Sequence, residues 1–283
     1  RLGSTVGGAT AAGGCVPSFV ITLAGLLGFL GVQLYVLGDQ GSINLPFDSP
    51  LVQFAQQRFL PHAVSYVLVL GAAAAYGLTA LRHTARRRAA GLSARSPVEI
   101  AVRAAALGGL LLLTAYYLNQ GRGIGYSVLL FGALVVVLDL VLRKTRWGRS
   151  VFAIGGNVEA ARRSGIAVNR VYVSVFVLTS TFAALGGILA AARLAAANQS
   201  SGGGDVNLNA IAAAVIGGTS LFGGRGSAYS ALLGSIVIVS IASGLTLLNL
   251  DASIRFMITG AVLLFAVIID SLSRRSRVAH GRA

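Results

Sequence analysis

The side chains of this chain that could do chemistry are few, and their spacing suits none. Its 283 residues hold eight carboxylates, three histidines and one cysteine. His62, His83 and His280 are scattered, with no spacing that would bring them to one metal ion. Cys15 stands alone, which excludes an intrachain disulfide. The stretch "GTSLFGGR" at 218–225 has glycines spaced as in a phosphate loop, but reads Gly-Arg where such a loop needs Lys followed by Ser or Thr. No catalytic residue, metal site or nucleotide site is therefore expected. What the residue types do allow is hydrogen bonding without reaction. Asn207, Asn209, Thr219, Ser220 and Asn249 carry amides and hydroxyls and are candidates for the path of a polar solute. The same groups could instead cap helices or bond across a helix bundle.

A second constellation is mechanical. Residues 153–166 read "AIGGNVEAARRSGI". Gly155 and Gly156 are expected to break the chain, and Asn157 to cap the helix that follows by accepting from its free amides. Glu159 in the first turn and Arg162 and Arg163 in the last match the helix dipole. Gly165 supplies a left-handed stop. The spacing predicts a two-turn helix over Val158–Ser164 that includes Ala160. A helix so short is marginal alone, so it must dock on something: a cytoplasmic partner, its own bundle, or lipid head groups.

The elements that hold these residues are membrane segments. Hydrophobic residues make up 55% of the chain and charged ones only 11%, against roughly 25% charged in soluble domains; mean hydropathy is +0.78. Eight apolar segments are expected, at 19–37, 63–81, 100–118, 124–142, 171–194, 208–222, 228–248 and 254–272, most of them near the roughly 20 residues that cross a bilayer. The fold class is an all-α polytopic integral membrane protein.

The net charge is +15, and the basic residues sit in the gaps between apolar runs rather than over a soluble face. That arrangement marks topology and excludes a nucleic-acid partner. Sixteen of the twenty-three basic residues fall in 82–99, 143–170 and the 273–283 tail, which are therefore cytoplasmic. The 38–62 and 195–209 loops are poor in Lys and Arg and are expected outside. Parity then requires 208–222 to carry the chain inward, either as a broken helix beside a pathway or as a short tilted helix followed by an ordinary turn. Arg103 and Asp139, charged near span ends, are expected to snorkel or to pair with a cytoplasmic partner.

Two motifs, "KTRWGRSVFAIGGNVEAARRSGI" at 144–166 and "IAAAVIGGTSLFGGRGS" at 211–227, resemble the permease subunits of bacterial monosaccharide ABC importers. "PSFVITLAGLLGFLG" at 17–31 and "FAVIIDSLSRR" at 265–275 fit the same family, and "YYLNQGRGI" at 116–124 is similar to its xylose branch. Family members carry further helices before the "PSFVITL" region, so the chain is expected to start inside a longer protein.

The resemblance implies a single permease domain over 1–283 that pairs with a second copy in the cell membrane, its C-terminus cytoplasmic. It also implies a cytoplasmic ATP-binding subunit that holds ATP and magnesium, and an extracellular sugar-binding protein. Gly155, Gly156, Asn157, Glu159, Ala160, Arg162, Arg163 and Gly165 would form the ATPase-coupling element. An ion-coupled sugar carrier and a truncated, non-transporting membrane protein are the competing readings. The first needs a carboxylate deep in the membrane, and each acidic residue here lies in a gap or near a span end.

Overall fold

The computed structural model describes residues 18–268, except 90, 92–95, 204, 221–222, 250, 252, 255, 263 and 266. The expectations on Cys15, His280 and the 273–283 tail lie outside those residues. In chain order the elements are α1 (Ser18–Leu37), β1 (Ser42–Asn44), α2 (Pro50–Val52), which runs into a π-helical turn at Gln53–Gln57, α3 (His62–Ala89), α4 (Pro97–Asn119), α5 (Tyr126–Lys144), α6 (Arg146–Gly156), α7 (Val158–Arg163), α8 (Val168–Leu194), β2 (Ala196–Asn198), α9 (Asp205–Ile216) and α10 (Ala228–Leu247). The described residues between 253 and 268 are also largely helical.

Among the described residues, five helices are long and apolar enough to cross a membrane: His62–Arg82 in α3, Val98–Asn119 in α4, and α5, α8 and α10. Thr22–Leu37 of α1 and Val206–Ile216 of α9 are shorter apolar stretches. Many large apolar side chains on these helices, such as Phe29, Leu110, Phe176 and Val239, are exposed. In a bilayer such faces meet lipid or another subunit, because no hydrophobic force drives them inward there.

The described residues are mostly helical, as expected, with one addition: β1 and β2 pair antiparallel, with Ile43 opposite Ala197. These three-residue strands satisfy backbone groups that would otherwise be left open where the 38–62 and 195–209 loops meet. The 82–99 gap is also mostly not a loop. The Ala- and Arg-rich run after Leu81 continues α3 to Ala89, because both are good helix formers. The next helix starts early at Pro97, where the Ser96 hydroxyl accepts from the Glu99 amide at 3.1 Å, a cap with proline at the first helical position.

The chain divides into two compact units, Pro46–Phe131 and the remainder up to Leu45 and from Gly132. In the first, α3 and α4 form an antiparallel hairpin. A Cβ built on Gly108 would lie 3.3 Å from the Ala73 Cβ, and one on Gly77 3.6 Å from that of Ala104. The hairpin's open end is tied by Ser65, fully buried, whose hydroxyl accepts from Asn119 Nδ2 at 2.8 Å. In the second unit, α9 and α10 form a tighter antiparallel hairpin: a Cβ on Gly217 would collide with the Ser230 carbonyl, and one on Gly234 with the Ala213 carbonyl. Both hairpins use small residues four apart on each helix, the spacing that lets helix backbones approach closely.

Candidate functional site

The site is an elbow between α5 and α8. At its entry, Thr145 caps α6 by accepting from the Gly148 amide at 3.1 Å. Gly148 is forced, since any Cβ there would strike the Leu142 backbone. Trp147 Nε1 donates to Ser174 Oγ at 2.7 Å and ties α6 to α8. Contrary to the sequence expectation, Gly155 and Gly156 do not break the chain. They are the last residues of α6, and the break falls at Asn157, with φ −157° and ψ 110°. Gly155 serves close approach instead of chain reversal.

Asn157 then caps α7, its Oδ1 accepting from the Ala160 amide at 3.0 Å. Glu159 lies 3.5 Å from Arg162 and 3.8 Å from Arg163, and Gly165 takes φ +78° to end the helix. Ala161 is buried against Ile154 of α6 and Val168 of α8, with Val158 and Ile166 packed beside them. So α7 docks on its own chain through one face. The other face, with Asn157, Glu159, Ala160, Arg162 and Arg163, is exposed, as is Gly165 after it.

The two sequence motifs meet here. A Cβ on Gly155 would lie 2.5 Å from the Gly224 amide nitrogen, and one on Gly223 2.6 Å from the Gly155 carbonyl oxygen. The end of α6 thus rests backbone to backbone on the turn that follows α9. That turn is closed on itself: the Thr219 amide donates to the Ala214 carbonyl at 2.9 Å, Ser220 to Arg225 at 3.1 Å, and Gly223 to Ser220 at 3.2 Å. Among the described residues of the apolar 208–222 segment, the helix ends at Ile216. From β2 it leads to the α6–α7 end of its unit.

The polar candidates do not form one cluster. Asn207 and Asn209 lie near the start of α9, and Thr219 and Ser220 follow its end, on the order of 15 Å away along a helix that rises about 1.5 Å per residue. Asn249 follows α10 with φ +51°, its amide donating to the Thr246 carbonyl at 3.0 Å, and so supplies that helix's left-handed stop. None of the five lines the groove of about 500 Å³ along α8, which runs past Asn169, Val173 and Val177. Arg103 and Asp139 pair within their own helices, with Glu99 and Arg143, each at 2.8 Å. Among the described residues, no three His, Cys, Asp or Glu side chains converge as a metal site.

Sequence reasoning missed α6 itself and the roles of Thr145, Trp147, Gly148, Gly223 and Gly224. A readable signal for α6 was Thr145 three residues before Gly148, at the head of an amphipathic run. The meeting of the two glycine pairs had no local signal.

The elbow thus presents a short helix held on one face by its own chain and bare on the other. The chain belongs to the family described as the branched-chain amino acid transport system permease component, whose model matches residues 3–267. It is a multi-pass membrane protein of a transport family, not an enzyme. The xylose transport system permease protein XylH of Escherichia coli K12 is 36% identical over 261 residues, which is 92% of this chain and 65% of that protein. XylH of Haemophilus influenzae is 34% identical over 268 residues, covering 92% of this chain and 68% of its own. The ribose import permease protein RbsC of E. coli K12 is 38% identical over 154 residues, 54% of this chain and 48% of its own length. The chain thus spans 65% of the E. coli xylose permease that it matches. No solved structure matches it.

Proposed function

We propose that this chain forms the membrane path of an ABC importer that brings xylose or a related monosaccharide into a bacterium. In this reading it crosses the inner membrane by the eight segments set out above, with its C-terminus inside, and pairs with a second copy. A cytoplasmic subunit binds ATP and magnesium and hydrolyses the nucleotide. An extracellular binding protein delivers the sugar. The outer face of α7 is the contact through which closure of the ATPase pair reorients α5 and α8, the helices that the elbow joins; such switching needs two states that the partner contacts differently.

The observation that carries this reading is the capped, charged face of α7, exposed while Ala161 anchors the opposite face. The XylH relatives support the choice of sugar. The test is reconstitution with the ATPase and binding protein, measuring xylose uptake and ATP hydrolysis together. Glu159 is exposed and its ion pairs lie on the surface, where such pairs hold little stability, so Glu159→Arg leaves the permease folded. Its expected effect is a loss of uptake of at least about fivefold, the lower range for coupling between sites, with ATP hydrolysis retained. Wild-type uptake by this variant, or no ATPase bound to the purified chain, would overturn the reading.

A further inference from the structure

The turn after α9 has no part in the reading above, yet the end of α6 meets it backbone to backbone. We infer that Gly155, Gly223 and Gly224 are positioning residues that carry movement of the α6–α7 elbow directly into the α9–α10 hairpin, so that this hairpin, and not only α5 and α8, shifts when the partner acts. The inference rests on the proposed role of α7.

Three features carry it. The contact has no side chains: a Cβ on Gly155 would lie 2.5 Å from the Gly224 nitrogen, and one on Gly224 3.1 Å from the Gly156 Cα. Side chains can change rotamer and absorb a displacement, whereas backbone against backbone in a close-packed contact cannot. On the receiving side, the described residues of the turn are tied by hydrogen bonds from the Thr219, Ser220 and Gly223 amides, and Gly226 packs on Thr219. The turn is also clamped to the hairpin, since Gly217 abuts the Ser230 backbone and Gly234 the Ala213 backbone. From α7 through the end of α6 to α10 there is thus a contiguous path of the sort that energetic coupling requires.

Two helical glycines provide a matched test, Gly155 at the end of α6 and Gly186 within α8. Replacement by alanine favours the helix in each case. Gly155→Ala drives a methyl into Gly224, whereas a Cβ on Gly186 meets nothing within 4 Å. In the reconstituted importer, Gly155→Ala is expected to lose at least about fivefold in xylose uptake while it still binds the ATPase and hydrolyses ATP. Gly186→Ala is expected to transport like the wild type. If Gly155→Ala also transports like the wild type while Glu159→Arg is uncoupled, the relay is wrong and the role of α7 stands. If Glu159→Arg transports normally as well, both fall.

Should Gly155→Ala not assemble, spin labels at the exposed positions Ala153 and Arg225 decide the matter in an otherwise native complex. The relay requires their separation to hold between the nucleotide-free and trapped ATP states. Widening by about one helical turn, roughly 5 Å, would overturn it.

Discussion

At the scale of single residues, the ends of α7 decide what it can do. Asn157 satisfies one of the amides left open at a helix start, and it does so at 3.0 Å with its side chain exposed. Replacing it with alanine removes about 1 kcal/mol of helix stability, which in a six-residue helix is enough to fray the element without unfolding the protein. Arg162 and Arg163 are exposed in its last turn, so trypsin reports the fraying: cleavage follows the population of the open form. Asn157→Ala is expected to raise the cleavage rate there about fivefold, and Asn157→Asp, which keeps an acceptor, to leave it near the wild-type rate. Equal rates for the two variants would mean that the anchor at Ala161, and not the cap, holds the helix. These caps were legible in the sequence because a cap is a local event: the type and the spacing of Asn157, Glu159 and Gly165 sufficed to place the helix within one residue of its observed end.

At the scale of elements, the sequence was readable where periodic apolar runs dominate and opaque where two distant backbones meet. The membrane-length helices fell close to the expected segments because length and hydropathy determine them. The end of α6 was misread because glycine has two uses, freedom of φ and absence of a side chain, and a sequence does not say which is in play. Gly165 uses the first at φ +78°. Gly155 uses the second, and only the position of Gly224 reveals it. The hairpins show the same ambiguity, and substitution resolves it. Gly234 of α10 faces the Ala213 carbonyl, whereas Gly244 of the same helix faces open space. Leucine improves helix propensity at both sites, so any difference between them reports packing. Gly234→Leu is expected to lose roughly 1–3 kcal/mol from overpacking, seen as a lower melting temperature in detergent, and Gly244→Leu to melt at or above the wild-type temperature. Equal melting temperatures would show that the α9–α10 contact does not hold the hairpin.

At the scale of the molecule, the larger unit has two ends that differ in charge and in structure. At one end Gln33 of α1 donates to the Asn198 carbonyl at 3.0 Å, and β1 pairs with β2. The 195–209 segment there carries Asp205 and neither Lys nor Arg. At the other end lie α6, α7 and the turn after α9, and the 143–170 segment there carries seven basic residues. Three elements connect the ends. α8 starts at Val168, packed on α7, and runs 27 residues to β2, about 40 Å at the helical rise and thus longer than the roughly 30 Å hydrocarbon core of a bilayer. α9 returns from β2 to the elbow, and α10 leaves it again. By the charge rule, such a body is expected to sit with its positive end inside. The test uses a Cys15→Ser background with one cysteine at Ser200 or Ala160, both exposed. A membrane-impermeant thiol reagent applied to intact cells with access to the inner membrane is expected to label Ser200→Cys, and to label Ala160→Cys only after permeabilisation. Labelling of Ala160→Cys from outside would put α7 beyond the reach of any ATPase, whereas labelling of both at once would mean that α8 does not cross the membrane at all.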